Sequence, residues 1–446
     1  MPTQSEIIQA ARFEYGIRPD EHRFAGDLLA QLEGVDPIDR DIPLPHTVER
    51  MRKLGELRAA RTNREADPDA YERVQRQLRR QGGIDLMQIL ARAVQNPRGF
   101  RERLSAFWAD HFTVSPTRLN ESLMLAAYIE DAIRPHVSGR FSDMLKAVVS
   151  HPSMLLYLDQ FASTGPNSMI GQRRDRGLNE NLAREVLELH TLGVNGPYTQ
   201  DDVRQFAELL TGLGIGPDGM RFTANRAEPG AEDILGRSYG GALGNLDDIY
   251  AFLEDLAMMP ATATHLARKL VVHFIGPAPL PGLVADMAAA YLESGGDLTA
   301  FYGVLVAHPA AQAAVFPKVR PPFEYAATML RALDIDSRLI MNANVKETRN
   351  LGKALTAMGQ RPFRPTGPDG WPEDAESWIT PPQLAARISW AGQVARTYAK
   401  DRDPRALMQA LLGDTAPDFL SFAVSGAETK WEGVALLLVS PALMRR

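Results

Sequence analysis

Apolar residues recur three and four positions apart through most of this chain, and that spacing matches the turn of an α-helix. Ala, Leu, Arg, Glu and Gln, all good helix formers, are abundant. The spacing predicts two helices over 46–98, split at Asp67-Pro68, and a third from Phe100 to Phe112 after the Asn96-Pro97 break. Further helices are expected near 118–136, 141–158, 179–192, 199–211, 246–258, 261–275, 281–294 and 297–308. The same pattern returns near 320–334, 346–358, 381–399, 404–412 and 427–439. The fold class read from this is all-α.

Few segments interrupt it. Residues 221–224 and 233–236 read as a small β-hairpin turning at Pro229-Gly230. Residues 359–382, rich in Pro, Gly and Trp and without a helical period, read as an ordered loop or a linker. The expectation is one large multi-helix body over 1–446, with subdivision near 215–245 and 336–345.

Composition narrows the chemistry. With 45% hydrophobic and 23% charged residues, the chain can bury a sizeable core. A net charge of -6 argues against non-specific nucleic-acid binding by the whole surface. There are no cysteines, which excludes disulfides, thiolate metal sites and cysteine nucleophiles. Any metal would need His, Asp, Glu or Asn ligands, and a divalent ion fits that set. No apolar run approaches the roughly 20 residues of a membrane span, and no secretory signal opens the chain. The expected compartment is the cytoplasm.

Polar chemistry is densest between Leu178 and Gly212. Asn179 reads as a helix N-cap and Gly193 as a left-handed stop. At about 100° per residue, Leu182, Ala183, Val186, Leu187, Leu189 and His190 share one face. Asn181, Arg184, Glu185 and Glu188 share the other, so Glu185, Glu188 and His190 cannot all ligate one metal from this helix alone. Thr199 and Asp202 have the spacing of a capping box opening the next helix. Upstream, the loop 165–177 carries Asn167, Arg173, Arg174 and Arg176 ahead of a helix start, an arrangement suited to an anion. Asp110 and His111, flanked by Phe107, Trp108 and Phe112, form a second polar cluster. Adjacent helical residues diverge, so those two are not expected to pair closely.

The strings ARFEYGIRP, FWADHFTVS, MLLYLD, GLNENLAREVLELHTLGVNGPYTQDDVRQFAELLTG, ATATHLARKLVVHF, DGWPED and SPALMRR carry a resemblance. Together they resemble the domain-of-unknown-function family numbered 1800 over nearly the whole chain. The resemblance implies a bacterial, mostly helical protein without a settled activity, often encoded beside a sulfatase-like family numbered 1501. It places recurrent polar positions on His111, Asp159, Asn167, Asn179, Glu180, Asn181, Glu185, His190, Thr199 and Asp202. Three departures stand out: Ala227-Glu228 replaces the family's His-Asp, Gln160 replaces Asn, and Leu213 stands where Trp is usual.

Each signal also has a structural reading. His190 can be a core histidine bonded to a backbone carbonyl, Glu185 and Glu188 a solvated face, Thr199 and Asp202 caps, and the arginines a solvated loop. Trp108 and Trp371 read as packing anchors, His273 as structural, and Lys318, Arg320 and Glu324 as surface ions or a helix start. No Ser-His-Asp or His-Glu-x-x-His signature is present. The functional expectation is an enzyme with Glu185, His190 and His111 as catalytic groups. Arg173, Arg174, Arg176, Asn167, Asn179 and Asn181 would bind an oxygen-rich or anionic substrate. The alternative is a non-catalytic partner or maturation factor for a sulfatase-like protein.

Overall fold

The structure is a computed structural model that describes residues 2–19, 27–174 and 177–446. Twenty-three α-helices and two small antiparallel sheets make up its regular structure among the described residues. The breaks fall where local chemistry demands them. Asp67 caps the Pro68–Gln95 helix through the Ala70 N–H, with Pro68 in the first turn where its missing N–H costs nothing. Thr199 and Asp202 form the expected capping box on the Gln200–Leu209 helix. None of the described helices is long and apolar enough to cross a membrane.

Two large buried clusters hold the body together. The first gathers the Gly99–His111, Phe141–Ser150, Leu246–Ala257, Pro260–Phe274, Pro281–Glu293 and Leu298–Ala307 helices around Trp108, Phe141 and Phe274. The second joins the C-terminal helices to the inner face of the Pro68–Gln95 helix and to Gln4–Phe13. A smaller third cluster lies around Met51, Leu54 and Met124. Buried arginines stitch the seams. Arg12 and Arg331, each 1% exposed, donate to backbone carbonyls of distant segments.

Three local expectations are corrected. The region around Pro229-Gly230 forms two hairpins, not one: Leu213–Ile215 pairs with Met220–Phe222, and Gly230–Ile234 with Arg237–Gly241. The second turn falls at Leu235-Gly236, both at positive φ, while Pro229 only precedes a strand. The 179–192 segment is not a uniform α-helix either. Asn181–Glu185 is α-helical, but Val186–Thr191 widens to a π-helix in which Leu192 N–H reaches the Leu187 carbonyl. The Thr191 hydroxyl donates to the Val186 carbonyl in the same register, at 2.6 Å. Of the two readings for Lys318, Arg320 and Glu324, the helix start holds, with Glu324 in the first turn of the Pro322–Ala332 helix, but all three are buried and not surface ions. Glu324 collects Arg103, Arg320 and Arg446 at 2.5, 2.5 and 3.0 Å, and three guanidiniums outweigh burial to hold it near pKa 2.

Candidate functional site

The Pro260–Phe274 helix carries His265, Lys269 and His273 at four-residue intervals, so all three project from one side. That side meets the Gly99–His111 helix. Phe107 packs on the His273 ring at 5.1 Å, and an Arg103 N–H reaches His273 Nε2 at 3.2 Å. Because a guanidinium can only donate, Nε2 accepts and Nδ1 carries the hydrogen, donated to Glu373 at 2.6 Å. His273 is therefore neutral, with burial first among the causes that lower its pKa to about 4.

Two other histidines perform a backbone task. The Leu189 and His190 carbonyls end the π-turn and have no partner further along the helix. His265 Nε2 donates to the first at 3.0 Å and His111 Nε2 to the second at 3.1 Å. Gly193, at φ +87, leaves room for the His265 ring: a Cβ there would stand 3.0 Å from Nδ1. The structure thus brings His111 and His190 together, ring centroids 6.0 Å apart, with Phe112 edge-on to His190 at 4.9 Å. Their Nδ1 atoms are buried without a hydrogen-bond partner among the described residues. Burial, and next the Lys269 charge, lowers the His190 pKa to about 3 and that of His111 well below normal. Both imidazoles are neutral and weakly basic.

Lys269 sits where these elements converge. It is half-buried and makes no hydrogen bond or ion pair among the described residues. Burial lowers its pKa, while Asp110, Glu373 and Asp369 oppose that shift. Asp110 is likewise half-buried, and burial lifts its carboxyl to about 7 against the pull of Lys269 and the Trp371 N–H. Asp369 and Glu373 come from the 359–382 loop, which lies as a strap across both helices. Its Trp371 N–H donates to Asp110, Glu373 is held by Lys318 Nζ at 2.5 Å, and its Pro365 carbonyl accepts from Ser115 at 2.9 Å. Lys318 and His273 together keep Glu373 well below the usual carboxylate range despite burial.

Glu185 borders the same region from the Asn181–Glu185 helix. It is half-buried, makes no hydrogen bond among the described residues, and is raised to about 7 by burial, then by repulsion from Glu188 and Asp369. Asp369 thus acts on Glu185, Asp110 and Lys269 alike. Glu188 is engaged elsewhere, paired with Arg184 at 3.2 Å.

The remaining expected residues have structural partners or stand apart. Asn179 donates to the Leu158 carbonyl at 2.9 Å and accepts from the Asn181 N–H, one residue ahead of the N-cap position, which Glu180 occupies. Asn181 is exposed. Asn167 is clamped by Glu228, which accepts from its backbone N–H at 3.0 Å and from its side chain at 2.5 Å. Of the family departures, Glu228 therefore anchors the loop, Ala227 packs against Gly244 and Gly212, and Gln160 donates to the Leu210 carbonyl. Arg173 is exposed; the Arg174 side chain and Arg176 lie outside the described residues. No group of three or more His, Asp and Glu among the described residues is placed to hold a metal ion.

Asp110 was singled out with His111, but Lys269, Asp369 and Glu373 escaped sequence reasoning. The His265–Lys269–His273 spacing was the available signal, masked because it reads as one edge of an ordinary amphipathic helix.

A mainly α-helical body enclosing a lysine among carboxylates and neutral histidines is the class that fold and site define. The model of the family described as Protein of unknown function (DUF1800) matches residues 9–445. The chain belongs to that family. No curated protein and no solved structure matches it.

Proposed function

We propose that this protein is an enzyme that performs acid–base chemistry on an anionic or oxygen-rich substrate between the Pro260–Phe274 helix, the Gly99–His111 helix and the 369–373 strap. One observation carries the reading: Lys269 is half-buried among charged groups yet has no direct partner among the described residues. A structural lysine at such depth is normally paired, whereas a substrate-binding lysine leaves its ammonium free for an incoming anion. Asp110 and Glu185, both shifted to about 7, can each gain or lose a proton near neutral pH. In this reading Lys269 anchors the substrate's negative group, and the two carboxyls supply the acid and the base. His111 and His265 position the π-turn, and neither they nor His190 transfer protons themselves.

The test is a thermal-shift screen of small carboxylates, phosphates, sulfates and sugar acids on the wild type and Lys269→Met, followed by turnover assays on esters of the anions that bind. Stabilisation by one anion class that Lys269→Met abolishes, with turnover lost in Glu185→Gln and Asp110→Asn, is the expected result. Identical anion responses in wild type and Lys269→Met would sink the proposal.

A further inference from the structure

Beneath the start of the strap lie two adjoining hollows, of about 270 and about 180 Å³, that share Leu86, Leu125, Pro362 and Phe363 as walls. The inner one is lined by Ile89, Val114, Phe323 and Leu355 and ends on Asp110 and Trp371. Its polar side chains are already engaged: Thr113 donates to the Asp110 carbonyl, the Gln360 side-chain oxygen accepts from Phe323 N–H at 2.7 Å, and Asp110 accepts from Trp371. What enters that hollow must therefore be apolar.

The outer hollow differs at its rim. Arg79 has only a 3.3 Å bond to Gln75, and the Arg364 guanidinium has no hydrogen bond or ion pair among the described residues. Asp85, which lines the same hollow, accepts at Oδ1 from Arg50 at 2.6 Å and Gln81 at 3.1 Å. Its Oδ2 is buried without a hydrogen-bond partner among the described residues, and burial raises its pKa. Phe363 separates the hollows. Its φ of +57 is rare for a bulky residue, and it packs against both large cores, which hold it there.

The geometry points to a binding site for an amphiphilic anion: an aliphatic chain running past Phe363 toward Trp371, with its carboxylate or phosphate head on Arg79 and Arg364. Two guanidiniums without a carboxylate partner among the described residues at one end and an apolar lining at the other match that ligand and oppose an uncharged or doubly polar one. This site meets the acid–base reading at Asp110, where the inner hollow ends, but its head group is recognised by Arg79 and Arg364 and not by Lys269.

Isothermal titration of the full chain with dodecanoate, dodecyl phosphate and dodecanol, each below its micelle concentration, tests it. Saturable binding of at least one anion is expected, with dodecanol weaker by about tenfold or more. The double variant Arg79→Ala, Arg364→Ala should bring the anion down to the alcohol's level. Gly82→Phe should remove binding while the fold, checked by circular dichroism, is kept, because a Cβ at Gly82 meets nothing within 4 Å and projects from a residue lining the outer hollow. Lys269→Met should bind the anion as the wild type does. No saturable binding, an alcohol as tight as the acids, or unchanged binding in folded Gly82→Phe would each overturn the assignment. Loss of binding in Lys269→Met would move the head group away from the arginines and overturn it as well.

Discussion

The backbone N–H of Trp371 donates to both carboxylate oxygens of Asp110, at 3.0 and 3.2 Å. This contact fastens the strap to the Gly99–His111 helix and desolvates a carboxyl that would otherwise face water. It also fixes what can precede Trp371. Gly370 has φ +90, and a Cβ there would stand 2.8 Å from both the carbonyl oxygen and Oδ2 of Asp110.

Gly370→Ala is therefore expected to lower stability by about 2 kcal/mol or more, from left-handed strain plus the clash. Urea denaturation measures the loss, and limited proteolysis should cut the 359–382 loop faster than in the wild type. Unchanged stability and cleavage would mean that the strap is not held by this contact.

The buried histidines in and around the π-turn predict an acid-side weakness. Burial lowers His190 to about 3 and His265 to about 4, from 6.5 for the free side chain. Below about pH 6.5 the unfolded chain takes up protons that the folded chain refuses, so stability is intact above that pH and falls as the pH drops toward 4. His265→Ala should remove part of this slope when melting temperature is followed from pH 7.5 to 4.5. His111→Ala should cost about 1–3 kcal/mol at pH 7.5, because the buried His190 carbonyl loses its donor. An unaltered slope in His265→Ala would show that its proton is not excluded by the fold.

Glu185 predicts the opposite sign. Its folded pKa of about 7 lies above the ordinary 4.5, so the folded state keeps a proton that the unfolded state releases across that interval. The associated stability is complete below about pH 4.5 and is lost as the pH rises through 7. Glu185→Gln should then match the wild type near pH 4 and exceed it in stability at pH 8, while losing turnover under the proposed function. A variant less stable than wild type at pH 8 would contradict the desolvation account.

Much of the helical framework was legible because helices announce themselves locally. The break at Asp67-Pro68, the cap of Thr199 on Asp202 and the stop at Gly193 each depend on residues within one turn of one another. The burial of Leu182, Ala183, Val186, Leu187 and His190 followed from the same period. The π-turn did not, since its wider register is closed by histidines 76 and 79 residues away in sequence. The hairpins were misread because a Pro-Gly pair looks like a turn, while the second turn falls at Leu235-Gly236, where Leu235 takes a positive φ that its residue type does not announce.

By itself the sequence determined a nearly all-helical chain without thiol chemistry, and the family it belongs to. Only the tertiary structure decided where the chemistry lies. Asp110 meets Trp371 across 261 residues of chain, and Lys269 draws its electrostatic surroundings from two helices and an aperiodic strap. No local spacing encodes such contacts. A displaced pKa arises from burial and from charges brought together by packing, and neither exists until the chain has folded.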